Sequence, residues 1–441
     1  MPPWVLRAIQ LVSMLAFAFR RLLTVLQKSG HRPEHLAPSS LRLMAAAFAT
    51  AAAGLLAAAA PAFGHETLKL DAPKPVLAST PPMGWNSWNK FACNVSEQLV
   101  RQQADAMAAS GMKEAGYRYI VIDDCWQKSR DADGNIVADP ERFPGGIQAL
   151  ADYVHSKGLK FGLYSDAGSL TCGGRPGSAG REFQDARQYA KWGVDYLKYD
   201  WCSTGPRNAE AAYTIMAKAL RESGRDIVLS ICEWGDNHPE RWAAPIGHLW
   251  RTTGDIYDGW KGTKDWSHGM TDILDFQVAR WRDSGPNAWN DPDMLEVGNG
   301  GMTSTEYESH FSLWAMLAAP LIAGNDLPSM STDTRRILTN ADVIAVDQDV
   351  LGVQARRIWK QGDLEIWARP LKGGDQAVVL FNRGAAPAGM TVDWELLNLP
   401  AGLRADVKDL WSKKVTRRVL GSYGSTVAAH GVTMLRITPA L

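Results

Sequence analysis

The feature that most constrains the fold is an alternation of short apolar segments with helix-like segments between residues 97 and 231. The apolar segments predict buried β-strands at 119–122, 161–164, 194–199 and 227–231. Helical periodicity occupies 97–110, 147–157, 182–192 and 208–222, and later helices are predicted at 267–281 and 304–317. A strand every ~30–40 residues is typical of βαβ units, so the pattern predicts a parallel sheet with crossover helices.

Acidic residues follow each of these four strands. They are Asp123-Asp124, Asp166, Asp200 and Glu233. One such residue alone is explained equally well by an ordinary turn or helix cap, but four in succession indicate a binding site at the carboxyl edge of the sheet. An open, doubly wound sheet fits the same alternation. However, the first strand is not followed by GxGxxG and the chain has no GxxxxGK[ST] motif, so nucleotide binding lacks support.

The pattern changes after about residue 350, where short strands follow one another without a long helix. Strands are predicted at 364–369, 376–381, 404–410, 415–420 and 431–437. This part of the chain therefore predicts an all-β domain, most simply a small antiparallel sandwich.

The N-terminal region resembles a targeting segment. Arg42 precedes an alanine-rich apolar stretch, 44–63, which ends in small residues and is typical of a secretory signal peptide. An uncleaved membrane anchor is the alternative, because the stretch approaches the length of a membrane span. Residues 1–43 have no assigned role, and translation starting at Met44 would explain them. We expect a secreted or periplasmic protein.

Charge and cysteine content narrow the possible partners. Lys+Arg and Asp+Glu number 47 each, so nothing in the balance favours nucleic acid as a partner. The five cysteines contain no CxxC pair or Cys/His cluster, which argues against structural zinc. An exported chain makes disulfides plausible. We expect no metal or organic cofactor.

Two carboxylates stand out as candidates for catalysis. Asp200 lies two residues after Lys198 on the same face of a strand, where the positive charge would keep a nucleophile ionised, although a salt bridge at the sheet rim fits equally well. Asp255 lies beside Gly254 in a predicted loop, where an apolar or negative surrounding would raise its pKa as a proton donor requires. Loop capping is the alternative for Asp255. The 18 tryptophans suit either core packing or stacking on sugars.

Six segments together resemble glycoside hydrolase family 27, and its α-galactosidases in particular. They are 81–88 (PPMGWNSW), 122–126 (IDDCW), 198–200 (KYD), 232–235 (CEWG), 251–255 (RTTGD) and 289–295 (WNDPDML). The resemblance covers roughly 78–440. It implies a (β/α)₈ TIM barrel at 78–350 and a C-terminal antiparallel β-sandwich domain at 355–441. The segment before them, 1–64, is the extension and signal peptide expected from its composition. The resemblance also implies a retaining exo-glycosidase that hydrolyses terminal α-D-galactosyl residues with two aspartates.

The resemblance assigns roles residue by residue. Asp200 matches the nucleophile and Asp255 the acid/base. Asp123 and Asp124 match the pair that binds the 4- and 6-hydroxyls of galactose. The remaining matches are sugar-hydroxyl ligands (Lys198, Arg251), a hydrophobic wall (Trp88) and further pocket positions (Tyr164, Cys172, Glu233, Asp293). The resemblance also pairs Cys93 with Cys125 and Cys172 with Cys202, which leaves Cys232 free and buried.

Three alternatives compete with an α-galactosidase. An α-N-acetylgalactosaminidase would need small residues where Glu233 and Trp234 stand, and the Glu233 carboxylate can instead bind the 2-hydroxyl. A β-L-arabinopyranosidase is disfavoured by the intact Asp123-Asp124 pair. A sugar-binding protein without catalysis is disfavoured because both candidate catalytic aspartates are present. The expected partner is an oligosaccharide, galactomannan or glycoconjugate with terminal α-galactose. Membrane contact is expected only if the N-terminal segment is uncleaved, and the chain is expected to be a monomer or homodimer.

Overall fold

The computed structural model describes Leu70 and residues 73–440. The expected N-terminal extension and signal peptide, 1–64, lies outside the described residues. Across the described part of the chain, no helix combines the length and apolar character needed to cross a membrane.

Eight parallel strands form the sheet that the sequence predicts. They are β1 (Met83–Asn86), β2 (Tyr119–Val121), β3 (Lys160–Asp166), β4 (Tyr196–Asp200), β5 (Val228–Cys232), β6 (Leu249–Arg251), β7 (Trp289–Asp291) and β8 (Leu321–Ala323). Their spatial order is β7-β6-β5-β4-β3-β2-β1-β8. A parallel bridge between Leu295, just after β7, and Ala323 of β8 joins the two ends of the sheet. The result is a (β/α)₈ barrel rather than an open sheet.

Helices connect most of these strands. They are α1 (Glu97–Ala109), α2 (Gly146–Ser156), α3 (Glu182–Lys191), α4 (Ala209–Arg221), α5 (Met270–Gln277) and α6 (Ser304–Met316), followed by α7 (Thr332–Leu338) and α8 (Ala341–Asp347). Local sequence explains where they begin: the Ser96 hydroxyl caps α1, and Thr303 with Glu306 forms a capping box at α6. Between β5 and β6 the described chain has only a 3₁₀ turn, Pro239–Arg241.

One predicted helix is wrong in its first part. Residues 267–281 were expected to be helical, but Ser267–His268 pairs with Thr263–Lys264 as an antiparallel hairpin, and α5 begins only at Met270. Asp265, in the turn between the two strands, has φ 52°. The glycine that precedes the hairpin, Gly262, has φ 110°, a conformation that favours glycine.

The C-terminal part is antiparallel throughout. Its strands are β9 (Arg356–Gln361), β10 (Leu364–Pro370), β11 (Gln376–Asn382), β12 (Ala388–Asp393), β13 (Arg404–Asp409), β14 (Val415–Leu420), β15 (Ser422–Val427) and β16 (Val432–Pro439). Six of them form one sheet in the order β9-β10-β11-β16-β13-β14, and β12 pairs with β15. Apolar side chains of both sheets, including Ile366, Val378 and Val392, form a separate core together with Trp394 of a 3₁₀ turn.

The tryptophans fall into two groups, one in the cores and one at a cavity. Several are less than 2% exposed and fill the cores: Trp85, Trp126, Trp250, Trp289, Trp314, Trp367 and Trp394. Others, namely Trp88, Trp234 and Trp266, line a cavity at one end of the barrel. Composition alone could not divide them, because burial depends on where each strand or loop places the indole.

Candidate active site

A cavity of about 730 Å³ lies at the carboxyl ends of the barrel strands. Its wall includes eight residues that the sequence singles out: Trp88, Asp123, Asp124, Tyr164, Cys172, Lys198, Asp200 and Asp255. It also includes Cys202, expected in a disulfide, and Trp234, expected to exclude an N-acetyl group, together with four residues to which the sequence gave no site role: Asp236, Gly254, Trp266 and His268. The volume suits a ligand of the size of a sugar or small oligosaccharide.

Asp200, the last residue of β4, is held by hydrogen bonds to both carboxylate oxygens. The Tyr164 hydroxyl donates to Oδ2 at 2.8 Å, and the backbone N–H of Trp201 donates to Oδ1 at 2.9 Å. In the parallel register, Tyr164 of β3 lies opposite Lys198, and Asp166 lies opposite Asp200. Residues two apart on a strand point to the same face, so the Tyr164 and Asp200 side chains lie on one side of the sheet and can meet. These contacts fix the orientation of the carboxylate at the cavity wall.

Burial raises the pKa of Asp200 to about 6. The Lys198 charge and the Tyr164 hydrogen bond both lower this pKa, whereas the charge of Asp255 raises it. The sequence argument was correct that the charge of Lys198 favours the ionised form of Asp200. It missed that burial outweighs the lysine, because the depth of the strand end in the barrel cannot be read from residue spacing.

Lys198 is bound mainly to another aspartate. Its Nζ lies 2.8 Å from Asp123 Oδ2, which also accepts a hydrogen bond of 2.7 Å from the side chain of Asn86. Asp124 accepts a backbone hydrogen bond from Gly173 at 2.6 Å, and burial raises its pKa. Both aspartates are 1% exposed. The pair therefore offers buried, oriented acceptors to hydroxyl groups of a ligand.

Asp255 forms an ion pair with Arg251. Arg251 Nη2 lies 2.9 Å from Asp255 Oδ1 and 3.0 Å from Asp293 Oδ2. The Asp293 carboxylate also accepts the backbone N–H of Ile256 at 2.8 Å. Arg251 and Asp293 do not belong to the described cavity wall. Arg251 contacts Asp255 directly, whereas Asp293 is linked to it through Arg251 and the backbone of Ile256.

The pKa of Asp255 lies below the ordinary carboxyl value. Burial acts to raise it, but the charges of Arg251 and Lys198, together with hydrogen bonds from the Arg251 and Trp266 side chains, outweigh burial. The sequence argument expected a raised pKa, and that expectation was wrong because it did not anticipate the ion pair with Arg251. Of the two candidate carboxyl groups, Asp200 therefore has the higher pKa.

Glu233 faces its own turn rather than the cavity. Its carboxylate accepts the backbone N–H groups of Gly235 and Asn237 and the Asn237 side-chain amide, at 3.0, 2.6 and 2.9 Å. It is 0% exposed and does not belong to the described cavity wall. Burial raises its pKa to about 7. The structure thus does not bring Glu233 to the position where the resemblance implies a ligand, and its neighbour Trp234 contributes to the wall instead.

The cysteines pair as the resemblance implies. Cys93 bonds Cys125, and Cys172 bonds Cys202, with Cα atoms 5.2 and 5.1 Å apart. Cys232 is free and buried. The second bridge ties the loop after β3 to the chain that follows Asp200.

The cavity also adjoins a set of potential metal ligands. Among the described residues, the only such set combines Asp166 with Cys172 and Cys202. The sulfurs of these cysteines are joined in a disulfide, so they do not offer the thiolates that a metal would require. The Cys172–Cys202 disulfide therefore accounts for this cluster of potential ligands.

The hairpin at 263–268 is the part of the site that sequence reasoning missed. Trp266 and His268 reach the cavity wall, and the Trp266 indole N–H donates to Asp255 Oδ2 at 3.2 Å. Glycines on either side, Gly262 and Gly269, were the available signal for a break in the helical pattern. In the loop after β5, Asp236 is exposed and also lines the cavity.

Comparison with known families agrees with this architecture. Residues 80–349 match the family model described as "Alpha galactosidase A", and residues 361–437 match "Alpha galactosidase C-terminal beta sandwich domain". The alpha-galactosidase A of Cellvibrio japonicus is 51% identical over 379 residues, which cover 82% of this chain and 93% of that protein.

Solved structures give the same result. Alpha-galactosidase I from Mortierella vinacea has a TM-score of 0.80 and 41% identity, covering 82% of this chain and 97% of that one. An alpha-galactosidase from Saccharomyces cerevisiae, solved with raffinose, has a TM-score of 0.79 and 32% identity, covering 84% and 100%. The barrel, the C-terminal β domain and these matches together show that the chain belongs to the α-galactosidases of glycoside hydrolase family 27.

Proposed function

We propose that the chain is a retaining exo-α-galactosidase in which Asp200 is the nucleophile and Asp255 the acid/base. The observation that carries the proposal is that both carboxylates line one cavity and that the charge of Asp255 acts on Asp200. Retaining glycosidases use two carboxyl groups about 5–5.5 Å apart on either side of the scissile bond. The similarity to named alpha-galactosidases supports α-galactosides as substrates.

The first step forms a covalent intermediate. An Asp200 oxygen attacks the anomeric carbon of galactose while the bond from that carbon to the leaving oxygen breaks. Asp255 transfers its proton to the leaving oxygen, so the aglycone departs as an alcohol. This step requires Asp200 ionised and Asp255 protonated. Because Asp200 has the higher pKa, the reactive form is the minor arrangement of the singly protonated pair.

The second step releases the sugar. Asp255, now ionised, removes a proton from water, and the water oxygen attacks the anomeric carbon. The bond to Asp200 breaks and galactose leaves with its original α configuration. Arg251 favours the ionised form of Asp255 in this step, since their charges are 2.9 Å apart.

Selection of galactose rests on the buried aspartate pair. Galactose differs from glucose in its axial 4-hydroxyl, and Asp123 with Asp124 would accept hydrogen bonds from the 4- and 6-hydroxyls. A sugar that lacks either hydroxyl in this position leaves a buried acceptor unpaired, which is costly. The presence of both aspartates in the wall disfavours a pentose such as arabinopyranose, which has no 6-hydroxyl.

We also propose the cellular setting and the domain limits. Two disulfides suit an exported enzyme, and the alanine-rich segment before residue 64 suits a signal peptide. The catalytic barrel is assigned to 78–350 and the β domain to 355–441. Sequencing the N-terminus of the exported protein tests the first proposal: a start near residue 64 supports cleavage, whereas retention of 44–63 opposes it.

The experiment that tests the activity follows the anomeric product by NMR. Wild-type protein acting on p-nitrophenyl α-galactoside should release α-galactose before mutarotation. Asp200→Ala should abolish turnover, and Asp255→Ala should be partly rescued by azide, which needs no general base. Initial release of β-galactose, or unchanged turnover by Asp200→Ala, would refute the mechanism. Faster hydrolysis of the N-acetylated or arabinosyl analogue would refute the substrate.

A further inference from the structure

The hairpin between β6 and α5 is attached to the backbone of the proposed proton donor. The N–H of His268 donates to the carbonyl of Asp255 at 2.7 Å, and the N–H of Tyr257 donates to the carbonyl of His268 at 3.0 Å. A Cβ added to Gly254 would lie 2.6 Å from the Trp266 carbonyl oxygen. The hairpin therefore packs directly on the loop that carries Asp255.

Trp266, in the turn of this hairpin, is both exposed and bound to the proposed proton donor. Its indole lines the cavity and donates to Asp255 Oδ2 at 3.2 Å, yet the residue is 69% exposed. An exposed indole at the wall of a sugar-sized cavity offers an apolar face on which a pyranose ring can stack. Because a proton donor must reach the leaving oxygen, a ring next to Asp255 stands where the leaving group emerges.

The loop after β5 supplies a polar group to the same cavity. Asp236 is exposed, lines the same cavity and accepts no hydrogen bond from another described side chain. An aromatic face combined with a free carboxylate matches the apolar face and the hydroxyls of a pyranose. A lipid aglycone would use the ring but not the carboxylate.

We propose that Trp266 and Asp236 form a binding site for the sugar on the leaving-group side, and that the Trp266 indole N–H positions Asp255. This inference rests on the proposed function. It assigns the enzyme to oligosaccharide substrates whose α-galactose is attached to another sugar ring. Trp266 acts as a platform through its ring and as a positioning residue through its N–H.

The test compares a substrate with a sugar leaving group and one without. Raffinose carries an aglycone of two sugar rings, whereas α-galactosyl fluoride carries none. Trp266→Ala should raise KM for raffinose ~10-fold or more while KM for the fluoride stays within about twofold. Asp236→Ala should show the same selectivity with a smaller change. Trp281→Ala, at a separate cleft beside the β domain, is the control and should alter neither KM.

Trp266→Phe separates the two roles, because it keeps a ring and loses the N–H. It should retain most of the raffinose affinity, and it should raise the Asp255 pKa since the lost hydrogen bond lowers it. The acid limb of kcat/KM for raffinose should therefore move upward. Equal losses on raffinose and fluoride in Trp266→Ala, or an unmoved acid limb in Trp266→Phe, would overturn the inference. If wild-type protein cleaves neither substrate, the proposed function itself fails.

Discussion

Tyr164→Phe is the substitution that most directly probes the relative pKa values of Asp200 and Asp255. The Tyr164 hydroxyl is buried and donates to Asp200 Oδ2 at 2.8 Å, and the bond lowers the pKa of that carboxyl. A hydrogen bond to a charged group contributes about 1.5–3 kcal/mol. Since one pKa unit corresponds to about 1.4 kcal/mol, its loss should raise the Asp200 pKa from about 6 by roughly 1–2 units.

The kinetic consequence follows from the order of the two pKa values. The reactive pair carries one proton, and it exists between the lowered pKa of Asp255 and the pKa of about 6 of Asp200. The alkaline limb of kcat/KM therefore lies near 6 in the wild type. In Tyr164→Phe it should move upward by roughly 1–2 units, and the maximum should fall about 10- to 100-fold because the proton leaves Asp200 less readily.

The assay is a kcat/KM profile between pH 3 and 9 with p-nitrophenyl α-galactoside. Tyr117→Phe is a matched control, because it also removes a buried hydroxyl, one without a hydrogen-bond partner among the described residues. It should leave both limbs in place. If Tyr164→Phe moves the acid limb and not the alkaline one, Asp200 has the lower pKa of the pair and the reasoning is refuted.

Two further predictions concern stability. Gly235 has φ 85° and a Cβ there would meet the Thr252 carbonyl oxygen at 2.6 Å, so Gly235→Ala should cost more than the roughly 1–3 kcal/mol of backbone strain alone. Gly300→Ala is the control for backbone strain alone, because Gly300 has φ 103° and no described atom lies within 4 Å of the added Cβ. If both variants lower the thermal unfolding temperature equally, the predicted clash of the Gly235→Ala Cβ with Thr252 is contradicted. Replacing Cys172 and Cys202 with serine opens a 30-residue loop and should lower the free energy of unfolding by about 3–4 kcal/mol. A loss below about 1 kcal/mol in denaturant unfolding would show that the bridge contributes little.

The barrel could be predicted because its signals are local. Strands such as Tyr196–Asp200 are short apolar runs, and helices such as Ala209–Arg221 have regular apolar spacing and capping residues. The strands missed in the β domain, Arg356–Gln361, Ala388–Asp393 and Ser422–Val427, are largely polar or half-exposed. Their strand conformation depends on pairing with distant neighbours, which a single sequence does not display.

The site, like the fold, could be predicted only where its signals are local in sequence. Acidic residues at strand ends located the cavity, because parallel strands bring their carboxyl ends together. Sequence could not give the direction of the Glu233 carboxylate, which the turn through Asn237 determines. Nor could it give the relative pKa values of Asp200 and Asp255, which depend on burial and on the ion pair with Arg251. Trp266 escaped notice because it lies in a two-residue turn just before the segment predicted to be helical, and only the pairing of the two hairpin strands reveals that turn.

Trapping the covalent intermediate tests the central claim most directly. A fluorinated galactosyl fluoride reacts quickly with a retaining enzyme and leaves a slowly hydrolysed glycosyl ester, which mass spectrometry of peptides can locate. The account predicts one galactosyl label per chain, on Asp200, and no label in Asp200→Ala. A label on Asp255, or turnover to inverted sugar without any labelled peptide, would contradict it.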